Sequence, residues 1–215
     1  MLETQKMKAV TIPQSDLILF QMENQQAVTS DTAFLVDTVI QKYRQNSQMN
    51  ILDAGTGSGI IAFMLKKHFS RWQITGIDVQ KSVIDMAKNN RNLFMQYYPS
   101  FHLDFIHQDL RHYQRKDFDL ILCNPPYYKL NQARLAKNPE KAIARHEVEI
   151  TMGDIFNFFV QQQNPFVKIM ILYPDFRNQE LLNLTKKLNL KIISQMLVPN
   201  SRPNNQVFLY EIGKC

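Results

Sequence analysis

The chain has 215 residues, of which 45% are hydrophobic and 20% charged, enough apolar content for a full core and far from the composition of disordered chains. No run approaches 18 consecutive apolar residues, the start MLETQKMKAV is too polar for a secretory signal, and two cysteines, Cys123 and Cys215, make no disulfide framework. A cytoplasmic protein outside the membrane is expected, carrying a formal charge of +6.

In chain order, residues 31–44 read as a helix that Ser30 or Asp31 can cap, and MNILD (49–53) as a strand. A helix over 58–69 leads to the strand QITGID (73–78), and a helix over 81–95 to the strands DFIHQ (104–108) and FDLILC (118–123). A helix over 149–163, the strand VKIMILY (167–173) and a helix over 176–188 capped by Asp175 come next. LKIISQM (190–196) and QVFLYEI (206–212) close the series. The alternation predicts βαβ units, hence an α/β doubly wound fold with a seven-stranded, mainly parallel sheet. The link VPNSRPNN is too short for a crossover helix, so the last two strands should pair antiparallel at the sheet edge. No repeat or linker divides the chain. Residues 1–215 read as one domain, with 1–30 an N-terminal segment expected to be mobile and to pack near the substrate or cofactor site.

Only six glycines are present where about 15 would be usual, and Gly55, Gly57 and Gly59 fall within five residues. They lie between a predicted strand and a helix, where backbone must turn tightly or approach a ligand closely. Asp78, 23 residues beyond Gly55, ends the next strand and can accept two ribose hydroxyls. The pattern GTGSGI departs from the dinucleotide fingerprint. Asp53 puts a carboxylate ahead of the loop, which would repel a pyrophosphate but suits a cation such as the amino group of S-adenosylmethionine.

Asn124-Pro125-Pro126-Tyr127 follows the fourth strand. An exocyclic amine on an aromatic ring is a poor nucleophile, its lone pair being delocalised into the ring. The Asn124 side-chain oxygen and the Pro125 carbonyl can accept both amine hydrogens, which favours a pyramidal nitrogen with its lone pair free to attack. The two prolines stiffen the backbone, and Tyr127 offers a face for base stacking. From 129 to 146 the chain carries Lys129, Arg134, Lys137, Lys141 and Arg145 against Glu140, a local +4. A basic segment beside a reaction centre suits nucleic-acid phosphates; a solvated loop is the plain alternative. His68, His102, His107 and His112 show no metal-ligand spacing, so no metal is expected, and Cys123 reads as a small buried hydrophobe.

ILDAGTGSGIIA resembles the first motif of the class I S-adenosylmethionine-dependent methyltransferases, and GID (76–78) their second. The resemblance implies their Rossmann-like fold with the last strand antiparallel. It implies S-adenosylmethionine as cofactor and S-adenosylhomocysteine as product, held by Asp31, Asp53, Gly55, Thr56, Gly57, Gly59, Asp78, Val79, Asp109, Leu110 and Asn124. Asp109, in His107-Gln108-Asp109, would contact the adenine amino group. NPPY resembles the motif of enzymes that methylate planar nitrogen: adenine N6 in DNA and RNA, guanine N2 in rRNA, and a glutamine amide of release factors. Release-factor enzymes carry a helical domain ahead of the first motif, where only about 50 residues precede Gly55 here. DNA enzymes usually add a sequence-reading domain, and guanine enzymes more often show Phe at the position of Tyr127. Gln21, Ser30-Asp31-Thr32, NPPYY, Ala144-Arg145-His146-Glu147 and Arg202-Pro203-Asn204-Asn205 extend the resemblance to the bacterial tRNA(Val) adenine-37 N6-methyltransferases. That family implies a monomer acting on the anticodon stem-loop, with Tyr128, Lys129, Arg134, Lys137, Lys141, Arg145, His146, Arg202 and Asn204 toward the RNA. A protein glutamine N5-methyltransferase, an rRNA guanine-N2 or adenine-N6 methyltransferase and a non-catalytic RNA-binding factor are the rival readings.

Overall fold

Apolar residues at consecutive positions of a strand can be buried together only if both faces of the sheet are covered, and the central strands have that pattern. The computed structural model describes residues 7–11, 18–22, 30–97, 102–125, 150–199, 201 and 205–215. A hairpin of β1 (Met7–Thr11) and β2 (Ile18–Met22) comes first, then α1 (Ser30–Lys42), β3 (Asn50–Ala54), α2 (Ile60–His68), β4 (Gln73–Asp78), α3 (Lys81–Tyr97), β5 (Leu103–His107) and β6 (Leu120–Cys123). After these come α4 (Met152–Val160), β7 (Lys168–Pro174), α5 (Asn178–Lys187), β8 (Leu190–Leu197) and β9 (Val207–Lys214). The seven-stranded sheet runs β5-β4-β3-β6-β7-β9-β8. Strands β3 to β7 are parallel, and β9 is antiparallel to both β7 and β8. The doubly wound fold with an antiparallel last strand is therefore present, and β9 inserts between β7 and the edge strand β8.

Alternate side chains of one strand serve opposite cores. Ile51, Leu120, Leu122, Met170 and Leu172 pack with α1, α2 and α3 around Phe63 and Trp72. Leu52, Ile121, Cys123, Ile169 and Ile171 pack with α4 and α5 around Phe156 and Phe159. α1 is fixed by Leu35, Val36 and Val39, all fully buried, and at its end by Lys42, which pairs with the buried Glu211 of β9. Lys168 of β7 approaches the same carboxylate at 3.2 Å. Among the described residues, no helix is long and apolar enough to cross a membrane.

Two helix starts differ from the expectation. α1 begins at Ser30, so Asp31 lies inside its first turn, accepting from Ser30 Oγ at 3.2 Å, where a carboxylate favours the helix dipole rather than capping it. Asp175 opens a 3-10 turn, Asp175–Arg177, and α5 follows with Arg177 at its cap position and no side-chain cap. α4 has the capping that sequence reading did not assign, a box in which Thr151 and Asp154 satisfy each other's backbone N–H groups. The hairpin was not expected. It docks on α3 through Asn90, whose side chain accepts from Phe20 N and donates to Phe20 O, both at 2.9 Å.

Candidate active site

β4 and β6 flank β3 on opposite sides, and the chain leaves β3 toward one and reaches the other only later, so a crevice opens beyond their carboxyl ends. Ala54 pairs with Cys123, which brings the glycine loop and Asn124 out of the sheet side by side. Gly55 N and Thr56 N donate to Ile77 O at 2.9 and 3.0 Å, and Gly57 N donates to Asp78 Oδ2 at 3.0 Å, tying the loop to the end of β4.

The three loop glycines, all in the left-handed region, have two different jobs. Gly55 (φ 75°) and Gly57 (φ 55°) face open space, with no atom within 4 Å of where a Cβ would stand. At Gly59 (φ 89°) a Cβ would lie 2.6 Å from Phe105 Cζ and 2.9 Å from Phe63 Cε2. Gly59 thus leaves no room for a side chain where α2 packs on Phe105 and Phe63. Leu110 has its side chain buried with Phe118 and Phe158 in the core under α4, which leaves its backbone to meet a ligand.

Asp53 is 1% exposed; its Oδ2 accepts from Thr56 Oγ1 at 2.6 Å, and the backbone N–H of Ala62 at the start of α2 also faces the carboxylate. Burial pushes its carboxyl up to about 7, the Thr56 bond opposing and the nearby Asp78 charge adding. Asp78 receives Gly57 N on one oxygen and Gln80 N on the other, the latter at 2.9 Å, and burial raises it against those bonds. Asp109 is held by Arg111, whose backbone N–H and guanidinium both reach its carboxylate, and that partner keeps it below the usual carboxylate range. Sequence reading gave Arg111 no role. Val79 O lies 3.0 Å from His107 Nε2.

Asn124 follows β6 directly, and its Nδ2 donates to Thr32 Oγ1 of α1 at 3.1 Å. Pro125 beside it is buried. Gln21 of β2, 1% exposed, donates to Ser58 Oγ of the glycine loop at 2.9 Å, so the hairpin also touches the crevice wall. Thr32 and Gln21 stood in segments noted for resemblance, but their partners are far along the chain and no spacing rule links them. Cys123 is buried and its thiol is raised by burial beside Asp53, which suits a core residue and not a nucleophile. Pro126, Tyr127, Tyr128, Lys129, Arg134, Lys137, Lys141, Arg145, His146, Arg202 and Asn204 lie outside the described residues. Among the described residues no group of three His, Cys, Asp or Glu is placed to hold a metal.

Residues 24–186 match the model of the methyltransferase small domain family. The tRNA1(Val) (adenine(37)-N6)-methyltransferase of Vibrio campbellii is 38% identical over 111 residues, 51% of this chain and 44% of that protein. The release factor glutamine methyltransferase of Fusobacterium nucleatum is 31% identical over 132 residues, 60% of this chain and 36% of that one. The chain spans about half the length of the curated tRNA relatives it matches. In fold it is similar to the M. jannaschii tRNA m1G37 methyltransferase, with a TM-score of 0.67 at 13% identity over 99% of this chain and 58% of that one.

S-adenosylmethionine is the cofactor of this fold and family, and the crevice fits it. The open space over Gly55 and Gly57 admits a ligand against backbone, the Asp53 carboxylate ahead of the loop suits an ammonium, and the Asp78 oxygens keep acceptor capacity for hydroxyls. On the family match and this geometry together, the chain belongs to the methyltransferase small domain family, built on the class I S-adenosylmethionine-dependent fold.

Proposed function

We propose that the protein methylates N6 of adenine in tRNA, at adenine 37 beside the anticodon of a valine tRNA. It would act as a cytoplasmic monomer on the anticodon stem-loop. The observation that carries the reading is Asn124 at the mouth of the crevice, beside the glycine loop and oriented by Thr32. Similarity to the Vibrio campbellii enzyme supports the choice of acceptor.

Bound S-adenosylmethionine supplies an electrophilic methyl group on sulfur. Asp78 would hold the ribose hydroxyls, Asp53 and the backbone at Gly55 to Gly57 the amino-acid end, and Asp109 and Val79 the adenine side. Asn124 Oδ1 and the Pro125 carbonyl accept the two hydrogens of the target amine, and Tyr127 stacks on its ring with Pro126 stiffening the turn. The amine lone pair is thereby released from the ring and aimed along the line of displacement. One amine proton leaves after transfer. Orientation and hydrogen bonding carry the rate, with no strong base required. Tyr128, Lys129, Arg134, Lys137, Lys141, Arg145, His146, Arg202 and Asn204 would meet the RNA, phosphates fixing its register.

The 31% identity to a release factor glutamine methyltransferase favours one second reading, transfer to a glutamine amide, because a planar amide nitrogen needs the same two acceptors. Incubation with labelled S-adenosylmethionine and tRNA from cells lacking the gene, followed by nucleoside mass spectrometry, separates them. N6-methyladenosine is expected, and label only in protein would move the glutamine reading ahead. Asn124→Ala should abolish transfer while cofactor binding by calorimetry is retained, weakened by no more than the loss of one contact; transfer at the wild-type rate would remove Asn124 from the mechanism.

A further inference from the structure

We propose that Thr32 is a positioning residue for transfer, anchoring the Asn124 amide at the crevice mouth with its oxygen toward the acceptor nitrogen. The inference rests on the planar-nitrogen reading above and adds to it a residue from a distant part of the chain. An asparagine side chain presents an oxygen and an NH2 of nearly equal size, and a half-turn about its last bond exchanges them. Only the oxygen can accept an amine hydrogen; the NH2 would oppose it. Packing cannot discriminate two groups so alike in shape; a threonine hydroxyl holds the plane of the amide and accepts from its NH2 so long as its own proton is directed elsewhere.

That bond is present. Asn124 Nδ2 donates to Thr32 Oγ1 at 3.1 Å, across 92 residues of sequence, which turns Oδ1 away from α1. Thr32 itself is 8% exposed and stands on a helix anchored along its middle and at its far end. Leu35, Val36 and Val39 are fully buried beneath it, and Lys42 at the far end is held by Glu211. Because α1 is packed into the core, the hydroxyl is a steady reference point for a residue at the start of a loop. The bond also links the first turn of α1, where Asp31 lies, to the residue that receives the acceptor.

The test compares Thr32→Val, which keeps the shape and removes the hydrogen-bond acceptor, with Thr32→Ser, which keeps the hydroxyl. With the full chain and the acceptor identified by the labelling assay, Thr32→Val should lower kcat about tenfold or more. The acceptor KM and the cofactor Kd should stay within about twofold, and Thr32→Ser should recover kcat to within about threefold. In the 15N-labelled protein the Asn124 side-chain amide signals should move in Thr32→Val and hold in Thr32→Ser, a readout that requires no acceptor. Wild-type kcat in Thr32→Val, equal losses in the two variants, or unmoved amide signals would overturn the proposal. Absence of N6-methyladenosine with the wild type overturns the adenine reading instead, and the Thr32 comparison is then made on the glutamine acceptor and on the amide signals.

Discussion

At the scale of single residues, the glycine loop separates two effects that a motif cannot. Gly59→Ala forces a Cβ into Phe105 and Phe63 at a positive φ, so left-handed strain adds to overpacking, together roughly 3 kcal/mol. Thermal unfolding should fall by about 6–12 °C. Gly57→Ala meets nothing and suffers only the strain, about 1 kcal/mol, yet its Cβ stands where a ligand must approach. Its melting temperature should fall by roughly 3 °C while cofactor affinity by calorimetry falls about tenfold; wild-type affinity would show that the loop is not the cradle. Asp53 adds a pH dependence. Its carboxyl is raised from 3.8 to about 7, so the folded chain keeps a proton that the unfolded chain releases. The stability of the neutral form is therefore lost as pH rises between those values. Asp53→Asn, always neutral, should lose less stability than the wild type between about pH 4 and 7 in thermal melts. At about pH 8 it should also bind S-adenosylmethionine more weakly, having no charge for the ammonium. Parallel melting curves for the two proteins would contradict the raised value.

At the scale of elements, what the sequence declared depended on how local the cause was. All seven sheet strands were readable because each is a run of apolar residues bounded by turns, and QITGID matched its strand residue for residue. The edge pairing of β8 and β9 followed from a link too short to cross over. The β1–β2 hairpin was not readable, because an isolated two-stranded ribbon is not stable alone and owes its order to distant partners. Leu19 enters the core beneath α3, Asn90 satisfies both backbone groups of Phe20, and Gln21 reaches Ser58. The same rule divides the site: Asp53, the glycines, Asp78 and Asn124 belong to local motifs, whereas Thr32, Gln21 and Arg111 act through side-chain partners that no motif spacing encodes. The hairpin should accordingly detach before the sheet unfolds. Asn90→Ala leaves Phe20 N–H and C=O unpaired, costing about 2–4 kcal/mol locally. Amide protection over Ile18–Met22 should drop in hydrogen exchange while β3 and β6 remain protected. Cofactor affinity should fall too, because Gln21 no longer steadies Ser58. Unchanged exchange in the hairpin would mean that Leu19 alone holds it.

At the scale of the whole molecule, charge is the property that sequence order and fold assign jointly. Lys129 to Arg145, against Glu140, contribute +4 of the formal +6. Lys129 is five residues beyond Asn124, so this basic segment follows the candidate site directly in sequence. Lys186 and Lys187 provide the contrast. They are exposed at the end of α5, which descends from the carboxyl end of β7 to the start of β8, and β8 runs parallel to β7 because β9 is antiparallel to both. They therefore sit at the opposite edge of the sheet from the glycine loop. If RNA phosphates lie over the mouth, each lost contact should reduce the slope of log affinity against log salt by roughly 0.7–0.9. Lys137→Glu with Lys141→Glu should flatten the slope by about 1.5, while the charge-matched pair Lys186→Glu with Lys187→Glu should leave it nearly unchanged. Filter binding of tRNA across a salt series reads both. Equal changes in the two pairs would mean that RNA senses only net charge, and no change in either would return the segment from 129 to 146 to the solvated-loop reading.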